Sequence, residues 1–152
     1  MIHFTCVNES RGFRIPHAAL KKVGAAAAKE FRIKKKSTVN LIVTRAEKAR
    51  TLNKKFRGKT YTPDVLTFEY PEEQRVGSHG SMLGEIVITD SVLKRQAKER
   101  GHSLTREFTI LAVHGIVHMM GFEHEGVSDR AKAAMEQHEK HILLRLGLSP
   151  KF

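Results

Sequence analysis

His114-Gly115-Ile116-Val117-His118-Met119-Met120-Gly121-Phe122-Glu123-His124 decides the reading of this chain, because three of its nine histidines fall within eleven residues. His114 and His118 stand four apart, so on an α-helix they lie one above the other and can offer two imidazoles to one ion. Gly121 can take the left-handed conformation that ends a helix, and the chain then turns to bring His124 back toward the same ion. Three neutral imidazoles with one coordination position left for water form the ligand set of a catalytic zinc site. A lone histidine would read as buried or solvated. Three at this spacing, with a glycine in the turn, read as ligands for one Zn2+ ion.

The spacing matches the signature His-Glu-x-x-His-x-x-Gly-x-x-His of the metzincin proteases, with one difference that decides the chemistry. Where those enzymes carry their general-base glutamate, this chain has Gly115, which can move no proton. The motif that points to a metal therefore speaks against a peptidase of that kind.

Outward from this stretch, the helix that carries the histidines runs from about Leu104 to Met120. Its second half is apolar almost all round, which predicts a helix buried inside the domain. Met119 and Met120 read as core filler, since a thioether is a poor partner for zinc. Downstream, about 128–146 is amphipathic, with Ala131, Ala134, Met135, Ile142 and Leu146 on its apolar side. His138 and His141 on this helix lack a third ligand in sequence and read as a solvated face. Upstream, Asp90 is placed as the N-cap of a basic helix through Arg100, closed by Gly101.

The first half alternates strands and helices. Residues 2–8 read as a short strand, and Pro16 through Phe31 as a helix with Ala18, Leu20, Val23, Ala27 and Phe31 as its apolar positions. Ser37–Thr44 reads as a buried strand, residues 45–55 as a short polar helix, and 56–64 as a turn-rich passage in which Asp64 is a turn or capping residue. Strands follow at Val65–Phe68 and Gly84–Ile88, separated by a loop over 71–82. Within that loop Gly77-Ser78-His79-Gly80-Ser81 lacks the Gly-Lys-Ser/Thr of a phosphate-binding loop and reads as a surface turn. The run Arg32-Ile33-Lys34-Lys35-Lys36 reads as a solvated boundary. No repeat, low-complexity tract or linker interrupts the chain. The expectation is an α/β (α+β) fold over 1–152, a single compact domain with a small mixed sheet packed by helices and a central buried helix carrying the metal-binding histidines.

The 152 residues carry 27 Lys plus Arg against 16 Asp plus Glu, a formal net charge of +11. Such an excess favours polyanionic partners, nucleic acid first among them. The first residues show no basic start followed by a long apolar run, which predicts no secretory signal. No apolar stretch approaches the roughly 20 residues of a membrane span. Cys6 is the one cysteine, which excludes an internal disulfide, suits a reducing cytoplasm, and reads as a small apolar filler in the first strand.

The chain resembles the bacterial YbeY-type endoribonucleases, also called rRNA maturation factors. The strongest segment is 114–124, close to the family pattern His-Gly-x-Leu-His-Leu-x-Gly-Tyr-Asp-His. Phe122 and Glu123 stand here for the tyrosine and aspartate of that pattern. Two further segments support it. Leu52-Asn53 through Phe68 resembles Leu-Asn…Arg-Gly…Asp-Val-Leu-Ser-Phe, with Thr62-Pro63 reversing the common Pro-Thr. Leu83-Gly84-Glu85-Ile86-Val87-Ile88 resembles Leu-Gly-Asp-Ile-Val-Ile.

The resemblance implies a zinc-dependent, single-strand-specific endoribonuclease acting in 16S rRNA 3′-end maturation and ribosome quality control. It implies a cytoplasmic location, with single-stranded RNA, ribosomal RNA and the small ribosomal subunit as partners and no membrane. By the same match His114, His118 and His124 would be the zinc ligands, and Arg57 would fall on the family's active-site arginine. A guanidinium there offers a planar fork to the scissile phosphate. Three routes to the nucleophile stay open: water activated with the ion's help, Glu123 as the base, or the RNA's own 2′-hydroxyl. The plainer role for Glu123 is to orient His118 or His124. Two rival classes stand beside this reading, a metal-stabilised RNA- or ribosome-binding module without turnover and a metallohydrolase of another substrate such as a peptide. A structural zinc normally has four protein ligands, and no fourth is evident.

Overall fold

The computed structural model describes residues 1–71, 76–77 and 80–149. Two apolar alternations come first: β1 (Ile2–Asn8) buries Ile2 and half-buries Phe4 and Cys6, while His3, Thr5 and Val7 stay exposed. In β2 (Ser37–Thr44), Val39, Leu41 and Val43 are fully buried. The two strands are parallel and in register from Ile2 against Ser37. Such a pair needs a crossover, supplied by α1 (His17–Glu30).

Beyond β2 come α2 (Ala46–Arg57), β3 (Val65–Glu69), the two-residue β4 (Val76–Gly77), β5 (Gly80–Thr89), α3 (Asp90–Arg100), α4 (Leu104–Met119) and α5 (Asp129–Arg145). The mixed sheet has the order β1-β2-β5-β3, with β5 parallel to β2 and antiparallel to β3; β4 also pairs with β5. The result is a single compact α/β domain. No helix among the described residues is long and apolar enough to cross a membrane.

α4 is the element around which the layers close. It contacts α1, α3, α5, β3 and β5. Phe108, Leu111, Ala112 and Ile116 on it join Val23 and Ala27 of α1, Leu41 and Val43 of β2, Ile86 and Ile88 of β5, and Met135 and Ile142 of α5 in one core. Leu66 and Val87 point to the opposite face of the sheet by strand alternation, and are buried there apart from this core. Two close approaches hold glycine. A Cβ at Gly24 in α1 would collide with the Ile2 carbonyl oxygen, and one at Gly115 in α4 would lie 3.0 Å from Ile86 side-chain carbons.

Several boundaries differ from the sequence reading. β5 begins at Gly80 inside the predicted 71–82 loop, because Met82 and Gly84 pair with successive residues Thr38 and Val39 and leave Leu83 as a bulge that breaks the alternation. Ser78 and His79 of the predicted surface turn, like residues 72–75, lie outside the described residues. The N-cap of α3 is Thr89, and Asp90 is its first helical residue. Thr89 still pairs with Thr44, so the strand runs directly into the helix. Pro16, the predicted first helical residue, is the N-cap of α1, which begins one residue later at His17, and Ala18 is exposed.

Charges tie the helices together at three junctions. Glu107 is wholly buried in the first turn of α4, where it accepts from Arg100 Nη1 at 2.6 Å and His102 Nδ1 at 2.9 Å. Glu30, at the end of α1, accepts on Oε2 from His138 and His141 at 2.8 and 3.0 Å, and on Oε1 from Arg145 at 2.7 Å. His138 and His141 are therefore not merely a solvated face: they clamp α5 to α1. His138 also stacks between Phe31 and Phe122, with centroids 5.0 and 4.5 Å away. The third junction, at Glu139, belongs to the site.

Two outcomes follow for stability. Gly24→Ala, which in an open helix would add about 1 kcal/mol, here lowers stability by about 1–3 kcal/mol in urea unfolding, because the methyl meets backbone. Burial pushes the Glu30 carboxyl up, but hydrogen bonds from His141, His138 and Arg145 outweigh it and hold it below its ordinary 4.5. A depressed carboxyl contributes stability above its unfolded value and loses it as pH falls through the folded one. Glu30→Ala therefore costs about 2 kcal/mol at pH 7, discounted for the exposed partners. In acid titrations monitored by circular dichroism, the gap to wild type closes below about pH 4.

Candidate metal centre

The site is set by the C-terminal half of α4. Ser103 caps the helix, accepting from the Arg106 amide at 3.1 Å, and the buried stripe beyond it fixes the rotation of the helix against the sheet. His114 and His118 emerge one turn apart on one face of the helix. The helix ends where Gly121, at φ 96°, enters the left-handed region and its amide bonds the His118 carbonyl at 2.9 Å. A Cβ at Gly121 would meet nothing, so glycine is needed there for its backbone and not for space. Phe122, held by Phe31 and His138, anchors the turn that returns His124.

The three imidazoles converge. Ring centroids lie 4.6 Å apart for His114 and His118, and 5.0 Å for each of these with His124. One ligand atom from each falls within 4.8 Å of the others, the one group of this kind among the described residues. The Nε2 atoms of His114 and His118 face each other at 3.1 Å. On the far side of its ring, His114 Nδ1 donates to Glu139 Oε1 at 3.1 Å. His118 Nδ1 lies 3.4 Å from Glu123 Oε2.

These contacts test whether the residues fit a metal. With Nδ1–H given to an acceptor, Nε2 of each ring presents a lone pair, and two lone pairs aimed at each other call for a cation between them. Nitrogens each about 2.0–2.1 Å from a common zinc ion would be separated by roughly this distance. Burial, followed by the charge that a protonated His114 would bring, holds His118 below its ordinary value of 6.5. Its ring is thus neutral at pH 7 and available as a ligand. The donor set fits one zinc ion with an open position.

Arg57 closes α2, whose C-cap Gly58 sits in the left-handed region at φ 67°. Its side chain lines a cleft of about 350 Å³ together with His114, His118, His124, Phe56, Tyr61, Asp64, Phe68, Glu123 and Glu125. The structure thus brings Arg57 and the three histidines, which lie in different parts of the sequence, to one cleft. Asp64 serves the turn: its Oδ1 accepts the Val65 amide at 2.7 Å, and its carbonyl accepts the Thr89 amide at 3.0 Å. Glu123 is half exposed and reaches His118.

Gly115 points away from the cleft, against Ile86 of β5. A glutamate at 115 would have to displace the Ile86 side chain against which its Cβ would lie. Sequence reasoning overlooked Glu139. Its signal was present: Glu139 shares a buried stripe with Met135, Ile142 and Leu143, and a carboxylate at a core position of a helix calls for a partner.

A family model described as endoribonuclease YbeY matches residues 8–147. A protein of Stenotrophomonas maltophilia (strain K279a) named endoribonuclease YbeY is 36% identical over 140 residues, covering 91% of this chain and 85% of the relative. One of Bacillus licheniformis with the same name is 34% identical over 145 residues, 90% of each. In fold, the solution structure of TM1509 from Thermotoga maritima aligns with a TM-score of 0.57 at 24% identity, over 97% of this chain and 92% of that one. Matched along nearly its whole length, and through the segment that bears the three histidines, the chain belongs to the endoribonuclease YbeY family.

Proposed function

We propose that this protein is a zinc-dependent endoribonuclease that cuts single-stranded RNA, acting in 16S rRNA 3′-end maturation and ribosome quality control. The observation that carries the reading is the convergence of three imidazoles and one guanidinium on a single cleft. The family supplies the RNA substrate, since the relatives are named endoribonucleases. A net charge of +11 suits a polyanionic partner. The small ribosomal subunit is the proposed partner and the cytoplasm the proposed location, where a lone Cys6 is at ease.

His114, His118 and His124 would hold the ion. When bound, zinc in this ligand set supplies Lewis acidity toward a phosphoryl oxygen and lowers the pKa of water toward about 7. Glu139 holds His114 in the tautomer that leaves Nε2 free, and Glu123 does the same for His118 less tightly. Arg57 binds the scissile phosphate and stabilises the charge that grows on it in the transition state. Exposed at the cleft, Glu123 can also take a proton from a nucleophile there. Gly115 takes no part.

Three outcomes are expected. A labelled RNA with a single-stranded 3′ tail beside a stem is cut in the tail by the zinc-loaded protein and not by His118→Ala; equal cutting by both would contradict the proposal. Binding of that RNA without cutting by either protein would make it a binding module. Arg57→Ala lowers kcat about 100- to 1,000-fold while zinc content, read by mass spectrometry, is unchanged. Glu139→Gln weakens zinc affinity about 10- to 100-fold in competition with a chelating dye. An unchanged affinity would remove Glu139 from its positioning role.

A further inference from the structure

Seven of the described Phe and Tyr side chains are buried or half-buried, and Phe56 and Tyr61 alone are exposed, at 57% and 54%. Both line the cleft that holds the histidines and Arg57. Exposed aromatic rings are costly to leave in water, and their coincidence with the site calls for a ligand with flat apolar faces. We propose that Phe56 and Tyr61 form a stacking platform for the unpaired bases of RNA on either side of the scissile phosphate. The inference rests on the function proposed above and deepens it, because it assigns the preference for single strands to two residues.

The surroundings argue for this occupant. Phe56 is braced through its ring and Tyr61 through its backbone. Phe56 stands edge-on to Phe68, with centroids 5.3 Å apart and planes at 70°. The backbone at Tyr61 is pinned by the fully buried Asn53, whose Nδ2 donates to the Tyr61 carbonyl at 2.9 Å. Lys54, Lys55 and Arg57 occupy the last turn of α2, and exposed Lys59 follows, so the aromatic wall is edged with cations that can track a phosphate backbone. Lys55 Nζ lies 5.2 Å from the Phe56 ring centroid. Of the acidic groups that line the cleft, Glu123 and Glu125 belong to the segment after α4, on the histidine wall, while Asp64, whose Oδ1 accepts from the Val65 amide, and Glu69 lie at the two ends of β3. In a duplex both faces of each base are covered by neighbouring base pairs, whereas a single strand offers them to aromatic side chains, which favours it without reading sequence.

The chain has two tyrosines and no tryptophan, which gives a direct readout. In a His118→Ala, Tyr70→Phe protein, Tyr61 is the one tyrosine and the RNA stays intact. Its emission is expected to fall on titration with a single-stranded oligoribonucleotide, and to hold steady with a duplex or an abasic strand of equal charge. Separately, in the zinc-loaded enzyme, Phe56→Leu with Tyr61→Leu raises KM for the single-stranded substrate about 10- to 100-fold with a smaller change in kcat. The conservative pair Phe56→Tyr with Tyr61→Phe restores it. Equal quenching by the abasic strand, or a leucine variant with the wild-type KM, overturns the platform while leaving the proposed nuclease standing. A wild type that neither binds nor cuts RNA overturns both.

Discussion

Two imidazole nitrogens facing each other at 3.1 Å set the terms for everything around them. Each has its ring's other nitrogen turned to an acceptor, so the pair concentrates negative potential where a cation belongs. Such an arrangement persists only on a support that cannot relax, since a small rotation of either ring would relieve the repulsion. The support is α4. Its apolar residues touch three helices and two strands, and Gly115 lets it lie directly on Ile86 of β5. Close packing against the sheet thus fixes the rotation of the helix, and that rotation aims His114 and His118 at one point.

Buried carboxylates do for the helices what packing does for the sheet. Glu107 joins the start of α4 to the end of α3, Glu30 joins α1 to α5, and Glu139 of α5 holds His114. Glu30 accepts from three donors, Glu107 from two and Glu139 from His114, and such pairing is the condition for a carboxylate to remain in such a place. The Glu30 junction reaches the site through His138, which packs on Phe122 in the turn before His124. The third histidine, the one not on a helix, is therefore braced from α1 and α5. Sheet, helix junctions and site form one connected set of contacts.

The motif at 114–124 was readable because a helix period and a glycine turn are local properties, although the distant Phe31 and His138 that hold the turn before His124 were not. Arg57 was reachable only through family resemblance, since a single arginine at the end of a polar helix carries no periodic signal, and its presence in the cleft depends on how α2 meets the sheet. Glu139 shows a different limit. Its place on the apolar stripe of α5 marked it as buried, yet nothing in the sequence said that its partner was 25 residues upstream. His138 and His141 went unread for the same reason, as their partner Glu30 lies more than 100 residues away. The bulge at Leu83 hid the start of β5, because the alternation that marks a strand is lost where one residue is added. Local periodicity carried the elements. Pairings across the fold did not appear until the layers were assembled.

The claim on which the rest depends is that His114, His118 and His124 bind one metal ion with a position left open. X-ray absorption at the zinc edge, on protein loaded with one equivalent of zinc, addresses it directly. The account predicts three imidazole nitrogens and one light atom at about 2.0–2.1 Å. A sulfur scatterer at about 2.3 Å, which would bring in Cys6, or a shell of oxygens without imidazole would contradict it.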